Sequence, residues 1–318
     1  MTRQDIHHIA LRPEPSRRFQ PTGFPDLGAA EYEQPTDDGG SIPMLLVESV
    51  QSMANHLEAE GWDEHEQRPV EALSGLPWVR VVDGDGSFLT SSRLEAHRVA
   101  SAFIRNSKLG DEEFLAVLKR RFGLEKDRSV DRRQLATALL RLDPACLVHG
   151  VFFAEKKWPQ QPKVTRALTA FIEAEDIRPV HSGGVKTDDV RHSVSDAATG
   201  GGTAEGYGMV PHHRVEYVAA TIQLHVALDR GLLASYGLSE EAVELLEVFA
   251  RWELASALES DLRLRTACSF RVEDGLPGPL SDASKLASRL GELAESCPEL
   301  SELDDPVTEV VWNAKGQS

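Results

Sequence analysis

The sequence predicts an α+β fold, and three observations carry that prediction. Segments of period two, such as Ile222-Leu224-Val226-Leu228 set against Thr221-Gln223-His225-Ala227, are mixed with segments of helical period, such as Val243, Leu246, Ala250, Leu254 and Ala257. The two kinds do not follow the regular strand–helix alternation of a doubly wound parallel sheet. The 318 residues, 41% hydrophobic and 27% charged, also have the balance of a globular chain with a sizeable core.

In chain order, Ile6–Leu11 reads as a strand. Pro13, Pro15, Pro21, Gly23 and Pro25 then impose an irregular loop that carries Arg17, Arg18, Phe19, Gln20, Thr22 and Phe24. Leu46, Val50, Met53 and Leu57 predict a helix over 45–58. Val79–Val82 and Ser87–Thr90, around Asp83-Gly84-Asp85-Gly86, predict a hairpin. Ser92 with Glu95 forms a capping-box pattern, and Ala96, Val99, Ala100 and Phe103 continue it as a helix with Arg98 and Arg105 on the other face. Arg93, at the positive end of that helix, calls for an anion, either Glu95 or a ligand.

Asp111–Phe122 before Gly123 and Asp131–Leu142 before Pro144 predict two more helices, which together read as an all-helical insertion. Cys146–Ala154 reads as a buried central strand with His149 in the core. Lys163–Glu175 reads as a helix from Val164, Leu168 and Phe171, with Lys163 and Arg166 in its first turn. Gly183 and Gly184 permit close backbone approach to a ligand, although Gly-Gly-x-Lys lacks both the Walker and the dinucleotide spacing. The polar, Gly-rich Thr187–Gly208 reads as a projection.

A long helix begins at Ser239. Leu262–Val272 then predicts one strand, with Leu262, Leu264, Thr266, Cys268, Phe270 and Val272 on one face and Arg263, Arg265 and Arg271 on the other. A helix over Asp282–Ser296 and a strand over Val307–Trp312 complete the order.

Charge argues first against a nucleic-acid partner, because 34 basic and 51 acidic residues leave −17 at pH 7. Its distribution argues the other way. Ser239–Glu259 and Glu292–Glu309 are acidic, while arginines gather at 12–18, 93–105 and 263–271. Three distant cysteines, Cys146, Cys268 and Cys297, offer neither a disulfide framework nor a Cys-x-x-Cys metal site and point to a reducing, cytoplasmic home. No stretch is apolar for the roughly 20 residues of a membrane span, so no membrane is expected.

Enzyme chemistry finds little support. His181, Asp188, Asp189, His192, His212 and His213 are suitable residue types but stand at no recognised metal spacing, and no Gly-x-Ser-x-Gly elbow occurs. No catalytic residue, metal or cofactor is expected. The arginine-bearing loop, the 93–105 segment, Gly183-Gly184-Lys186 and the Arg263/Arg265/Arg271 face, with Phe19, Phe24 and Tyr207, suit a phosphate backbone with occasional base stacking.

Four segments together resemble a known family: Arg18-Phe19-Gln20-Pro21-Thr22-Gly23-Phe24-Pro25-Asp26-Leu27-Gly28, Leu89-Thr90-Ser91-Ser92-Arg93-Leu94-Glu95-Ala96-His97-Arg98, Arg178-Pro179-Val180-His181-Ser182-Gly183-Gly184-Val185-Lys186 and Leu262-Arg263-Leu264-Arg265-Thr266-Ala267-Cys268. They look like the backbone subunit of type I-G (formerly I-U) CRISPR Cascade effector complexes, of the RAMP superfamily, over residues 11 to 272. The resemblance implies a ferredoxin-like, RRM-type palm over about 1–90, 145–186 and 209–318. It further implies inserted helical fingers over about 91–144 and a protruding thumb over about 187–208.

By the same resemblance, copies of the chain would stack along a guide RNA and hold its backbone without reading sequence. They would present it to target DNA, beside a large subunit and a guide-processing subunit. The guide contacts it implies are Arg17, Arg18, Phe19, Gln20, Thr22, Phe24, Ser92, Arg93, His97, Arg98, Lys163, Arg166, His181, Ser182, Gly183, Gly184, Lys186, Arg214, Arg263 and Arg265. Two alternatives stay open: a metal-dependent ribonuclease using His181, Asp188 and His192, and a protein-only scaffold.

Overall fold

The computed structural model describes residues 3–24, 28–186 and 210–312. The chain runs β1 (Gln4–Glu14), β2 (Gly28–Pro35), β3 (Ser41–Glu48), α1 (Val50–Ala59), β4 (Trp78–Val82), β5 (Phe88–Ser91), β6 (Ser107–Leu109), α2 (Phe114–Arg121), α3 (Arg132–Leu140), α4 (Ala145–Val148), β7 (Val151–Phe152), β8 (Lys163–Val164), β9 (Leu168–Glu175), β10 (Arg178–Lys186), β11 (Val210–Val218), β12 (Thr221–Asp229), α5 (Glu240–Glu259), β13 (Leu262–Arg265), β14 (Cys268–Val272), α6 (Ala283–Ser296) and β15 (Val307–Trp312), with shorter turns of helix and strand between.

The main sheet has the order β13-β14-β1-β12-β9-β3-β2, with the two-residue strand Gly23–Phe24 at its edge. Neighbouring strands are antiparallel, so β1 and β9, which flank β12, run the same way. Taken in sequence, β1-α1-β9-β12-α5-β14 is a βαββαβ unit in spatial order 4-1-3-2, the ferredoxin-like arrangement. The α+β class and the RRM-type palm therefore both hold.

Period-two alternation fixes which face is covered: Leu168, Ala170, Ile172 and Ala174 of β9 and Ile222, Leu224, Val226 and Leu228 of β12 are buried, while their neighbours are only partly so. α1 packs on β9 and on α5. Both helices start where their sequences allow, since the hydroxyls of Ser49 and Ser239 accept the N–H of Ser52 and Ala242.

A second sheet, led by the pairing of β6, β15, β4 and β5, joins the chain's last strand to its first third, with β15 parallel to β4. Residues 78–82, 88–91 and 307–312 thus form a sheet of their own beside the main one. The insertion is not all-helical either, because β6 and the strand Glu112–Glu113 accompany α2 and α3.

Other elements differ for identifiable reasons. Residues 45–48 belong to β3, where Leu45 and Val47 are buried, and the helix starts only after Ser49. No helix runs from Ser92, because other partners take the capping groups. The Ser92 hydroxyl accepts the Val79 N–H at 3.0 Å, while Glu95 accepts the hydroxyls of Thr90 and Ser101 at 2.7 Å each. A short helix, Ala102–Arg105, is capped by Ser101 instead.

Cys146–Ala154 divides into α4, introduced by Pro144, and β7. Lys163–Glu175 is β8 and β9, since burial on every second residue outweighs the helical coincidence of Val164, Leu168 and Phe171. Leu262–Val272 is a hairpin that turns at Ala267, φ 56°, which leaves Thr266 exposed. Gly183 and Gly184 lie in β10, opposite His213 and His212 of β11, not in a turn. The expected thumb, Thr187–Gly208, lies outside the described residues.

Candidate nucleic-acid interface

Two grooves gather seven of the sequence-derived candidates, four in one and three in the other. The first, about 520 Å³, is lined by Gln51, His97, Arg98, Gly150, Phe152, Lys163, Thr165 and Arg166, among others. Its floor is made by a reversal at Gly150, φ 82°. A Cβ there would stand 2.9 Å from the Val164 carbonyl oxygen and 3.1 Å from the Arg166 nitrogen, so the short β7–β8 pair can close only on glycine. Gly150→Ala is expected to cost about 2 kcal/mol of stability through left-handed strain, read as a shifted midpoint in urea unfolding.

Arg166 spans this groove, its Nη2 donating to Gln51 Oε1 at 2.9 Å and its Nε to the His149 carbonyl at 3.4 Å. Burial, then the nearby Arg98 charge, holds its guanidinium below its ordinary pKa. It remains charged at neutral pH. Lys163 is exposed, with Nζ 5.8 Å from the centre of the Phe152 ring. Neither cation has a carboxylate within ion-pair distance among the described residues, and His97 is exposed beside them.

The second groove, about 690 Å³, is lined by Gln20, Thr22, Gly23, Glu31, Val215, Tyr217 and Arg265, among others. Backbone pairing builds its wall: Phe19 and Tyr217 exchange N–H···O bonds at 2.9 and 2.8 Å, the Gln20 N–H donates to the Ala267 carbonyl, and the Thr22 N–H donates to the Val47 carbonyl. Arg265 locks the corner, since Nη1 donates to the carbonyls of Gln20 (3.0 Å) and Val47 (3.4 Å) and Nη2 meets the fully buried Glu48. The Tyr217 hydroxyl donates to Glu31, and burial together with that carboxylate pushes its phenol up to about 12.

Several candidates prove to be structural. Arg93 is buried, with Nε 3.2 Å from Asp143 and its guanidinium 5.2 Å from the Phe249 ring centre. Arg98 is buried on Glu58, and Ser92 is buried on Val79. The anion expected for Arg93 is thus Asp143 rather than a ligand. Phe19 is fully buried against Phe270, ring centres 5.9 Å apart, and cannot stack on a base. Arg93, Arg98, Ser92 and Phe19 therefore leave the set of contacts as side chains fixed by the core.

Others remain at the surface. Arg18 and Arg214 share Glu216, each at 3.4 Å. Arg214 also donates to the Thr266 carbonyl at 3.2 Å. His181 Nδ1 lies 3.3 Å from His213 Nε2, with Ser182 next in the strand. Arg17 and Arg263 are exposed without a carboxylate partner among the described residues, and Arg17 lines a third small groove with Arg12 and Gln223. Gly183 and Gly184 are exposed on β10. The side chains of Phe24 and Lys186, like Asp188, Asp189 and His192, lie outside the described residues.

Sequence reasoning missed Gln51, Phe152 and Thr165 in the first groove and a cluster on the uncovered face of the palm sheet. There Phe171 lies nearly parallel to His225 (4.9 Å, 22°), and His225 Nδ1 meets His8 Nδ1 at 2.9 Å. Glu173 stands 3.5 Å from His225 Nε2 and accepts the Tyr32 hydroxyl at 2.5 Å. Burial, the largest influence on it, holds the His225 pKa below its ordinary value. Among the described residues no His/Cys/Asp/Glu group of three or more could hold a metal, and no helix is long and apolar enough to cross a membrane.

Comparisons with known proteins complete the picture. The family model of CRISPR-associated protein GSU0053 matches residues 10–179, a span that takes in the first two of the four quoted segments. No curated protein matches the chain. A solved structure described as "CRISPR RNA-guided surveillance complex, pre-nicking" is similar at 14% identity and a TM-score of 0.37, over 84% of this chain and 73% of that one.

Proposed function

The chain belongs to the CRISPR-associated GSU0053 family, and from that premise we propose that it is a guide-RNA-binding backbone subunit of a Cascade-type antiviral complex. Copies of it bind side by side along the guide, hold the sugar-phosphate backbone and leave the bases to pair with target DNA. It works in the cytoplasm beside a large subunit and a guide-processing subunit, and it is not an enzyme.

The observation that carries this reading is the state of the basic side chains. In a protein of net charge −17, Arg17, Lys163, Arg166 and Arg263 have no carboxylate partner among the described residues, and two of the four share an open groove with an exposed aromatic ring. Such side chains are available to phosphates and contribute affinity by releasing counterions. The surrounding acidic surface discourages unrelated nucleic acid.

Size-exclusion chromatography with light scattering and the 260/280 nm absorbance ratio tests the proposal on protein expressed alone and with a matching CRISPR array. Large particles that hold RNA of defined length only with the array are expected. RNA-free assembly in both preparations would instead indicate a protein-only scaffold. Cleavage of complementary RNA with a divalent metal would return the ribonuclease reading.

A further inference from the structure

We propose that the groove at β7–β8 is a nucleotide subsite of single-stranded RNA, in which one base lies against the exposed face of Phe152 and the adjoining phosphate sits on Lys163 and Arg166. The inference rests on the guide-binding reading and adds to it the part of the nucleotide each side chain meets.

Adjacent residues at this strand are treated oppositely. Phe153 is fully buried between Phe122 and Trp158, with ring centres 5.3 and 4.7 Å away, whereas Phe152 keeps 51% of its surface in solvent. Strand alternation alone would put a polar residue at the outward position, because an exposed phenylalanine gains nothing from folding. Its cross-strand partner is Lys163, so ring and ammonium stand side by side on one face.

Arg166 and His97 border the same space, and the guanidinium of Arg166 is already aligned by Gln51 and the His149 carbonyl. An aromatic face beside fixed and mobile cations is the combination that single-strand binders use, the ring accepting any base and the cations tracking phosphate. The groove's volume of about 520 Å³ is within the range that holds a small organic ligand. Gln51 and Thr165 supply the neutral polar groups at its rim.

The test uses the full chain with two probes, an oligouridylate and an abasic ribose-phosphate strand of equal length. Phe152→Leu is expected to weaken oligouridylate binding about tenfold and leave abasic binding unchanged. Lys163→Ala with Arg166→Ala is expected to weaken both. Phe152→Trp is expected to bind like wild type, with indole fluorescence quenched by oligouridylate and not by the abasic strand.

Equal affinity of Phe152→Leu and wild type for oligouridylate would overturn the subsite while leaving guide binding intact. Equal loss on both probes would overturn it as well, since the ring would then only shape the groove. Weaker self-association at unchanged RNA affinity would reassign Phe152 to a contact between copies. Failure of wild type to bind either probe would overturn the guide-binding reading together with the subsite.

Discussion

Replacing Lys163, Arg166 and Arg263 together by alanine is expected to weaken single-stranded RNA binding on the order of a hundredfold at physiological salt, from about 1 kcal/mol for each cation–phosphate pair removed. The slope of log affinity against log salt should flatten by about 2, from ~0.7 counterion for each phosphate that is no longer neutralised. The choice of residues follows from their partners. Arg93, Arg98 and Arg265 face Asp143, Glu58 and Glu48, so their charge is already neutralised inside the fold. Lys163, Arg166 and Arg263 have no such carboxylate among the described residues. Fluorescence anisotropy over a salt series separates the two classes, because Arg93→Met should alter stability but leave the salt slope of the folded protein as it was. An unchanged slope in the triple variant would remove these three side chains from the interface.

That division between available and committed arginines marks the limit of what sequence could reveal. Period-two strands such as β12 and well-capped helices such as α3, α5 and α6 were legible because pattern and cap agree locally: Asp131, Ser239 and Asp282 each accept an N–H of the first turn. The ferredoxin-like palm entered through the resemblance, and the strand order then bears it out. The Lys163–Glu175 segment was misread because Leu168, Phe171 and Val164 satisfy a helical template as well as the strand alternation that prevails. Ser92–Glu95 failed as a capping box because both groups are bonded elsewhere, Ser92 to the Val79 N–H and Glu95 to the hydroxyls of Thr90 and Ser101.

Of the implied guide contacts, some come together at the surface and others are built into the core. His97, Lys163 and Arg166 do meet in one groove, and Gln20, Thr22 and Arg265 meet in another. Exposure is a tertiary property, however, and an arginine gives no local sign of whether a carboxylate from a distant helix awaits it. Asp143 and Glu58 are 50 and 40 residues away from Arg93 and Arg98 along the chain. Phe152 escaped notice for the converse reason, since a phenylalanine beside Phe153 in an apolar run reads as core.

The largest stability effect is expected at Arg98. Its Nε and Nη2 grip both Glu58 oxygens at 2.7 and 2.6 Å and its Nη1 donates to the Gly150 carbonyl at 2.9 Å, so one guanidinium ties α1 to the floor of the first groove. It holds this position at φ 48°, a left-handed conformation that the fold must stabilise. Arg98→Met leaves the largely buried Glu58 carboxylate without its counter-charge and should cost about 3 kcal/mol. Glu58→Gln in the same chain should restore part of that loss, and a double-mutant cycle in urea measures the coupling.

The pH dependence follows from the same pair. Burial alone would raise the Glu58 pKa, but the neighbouring His149 and Arg98, with the guanidinium hydrogen bonds, outweigh it and hold the carboxyl below its ordinary value. A carboxyl depressed in the folded state stabilises at pH above its unfolded pKa, and that contribution disappears as pH falls through the folded one. Wild-type stability should therefore decline on the acid side of about pH 4.5 more steeply than that of Glu58→Gln. Unfolding midpoints collected from neutral pH into that range read the difference directly, and parallel declines would mean that Glu58 is not the group whose protonation loosens α1 from the groove.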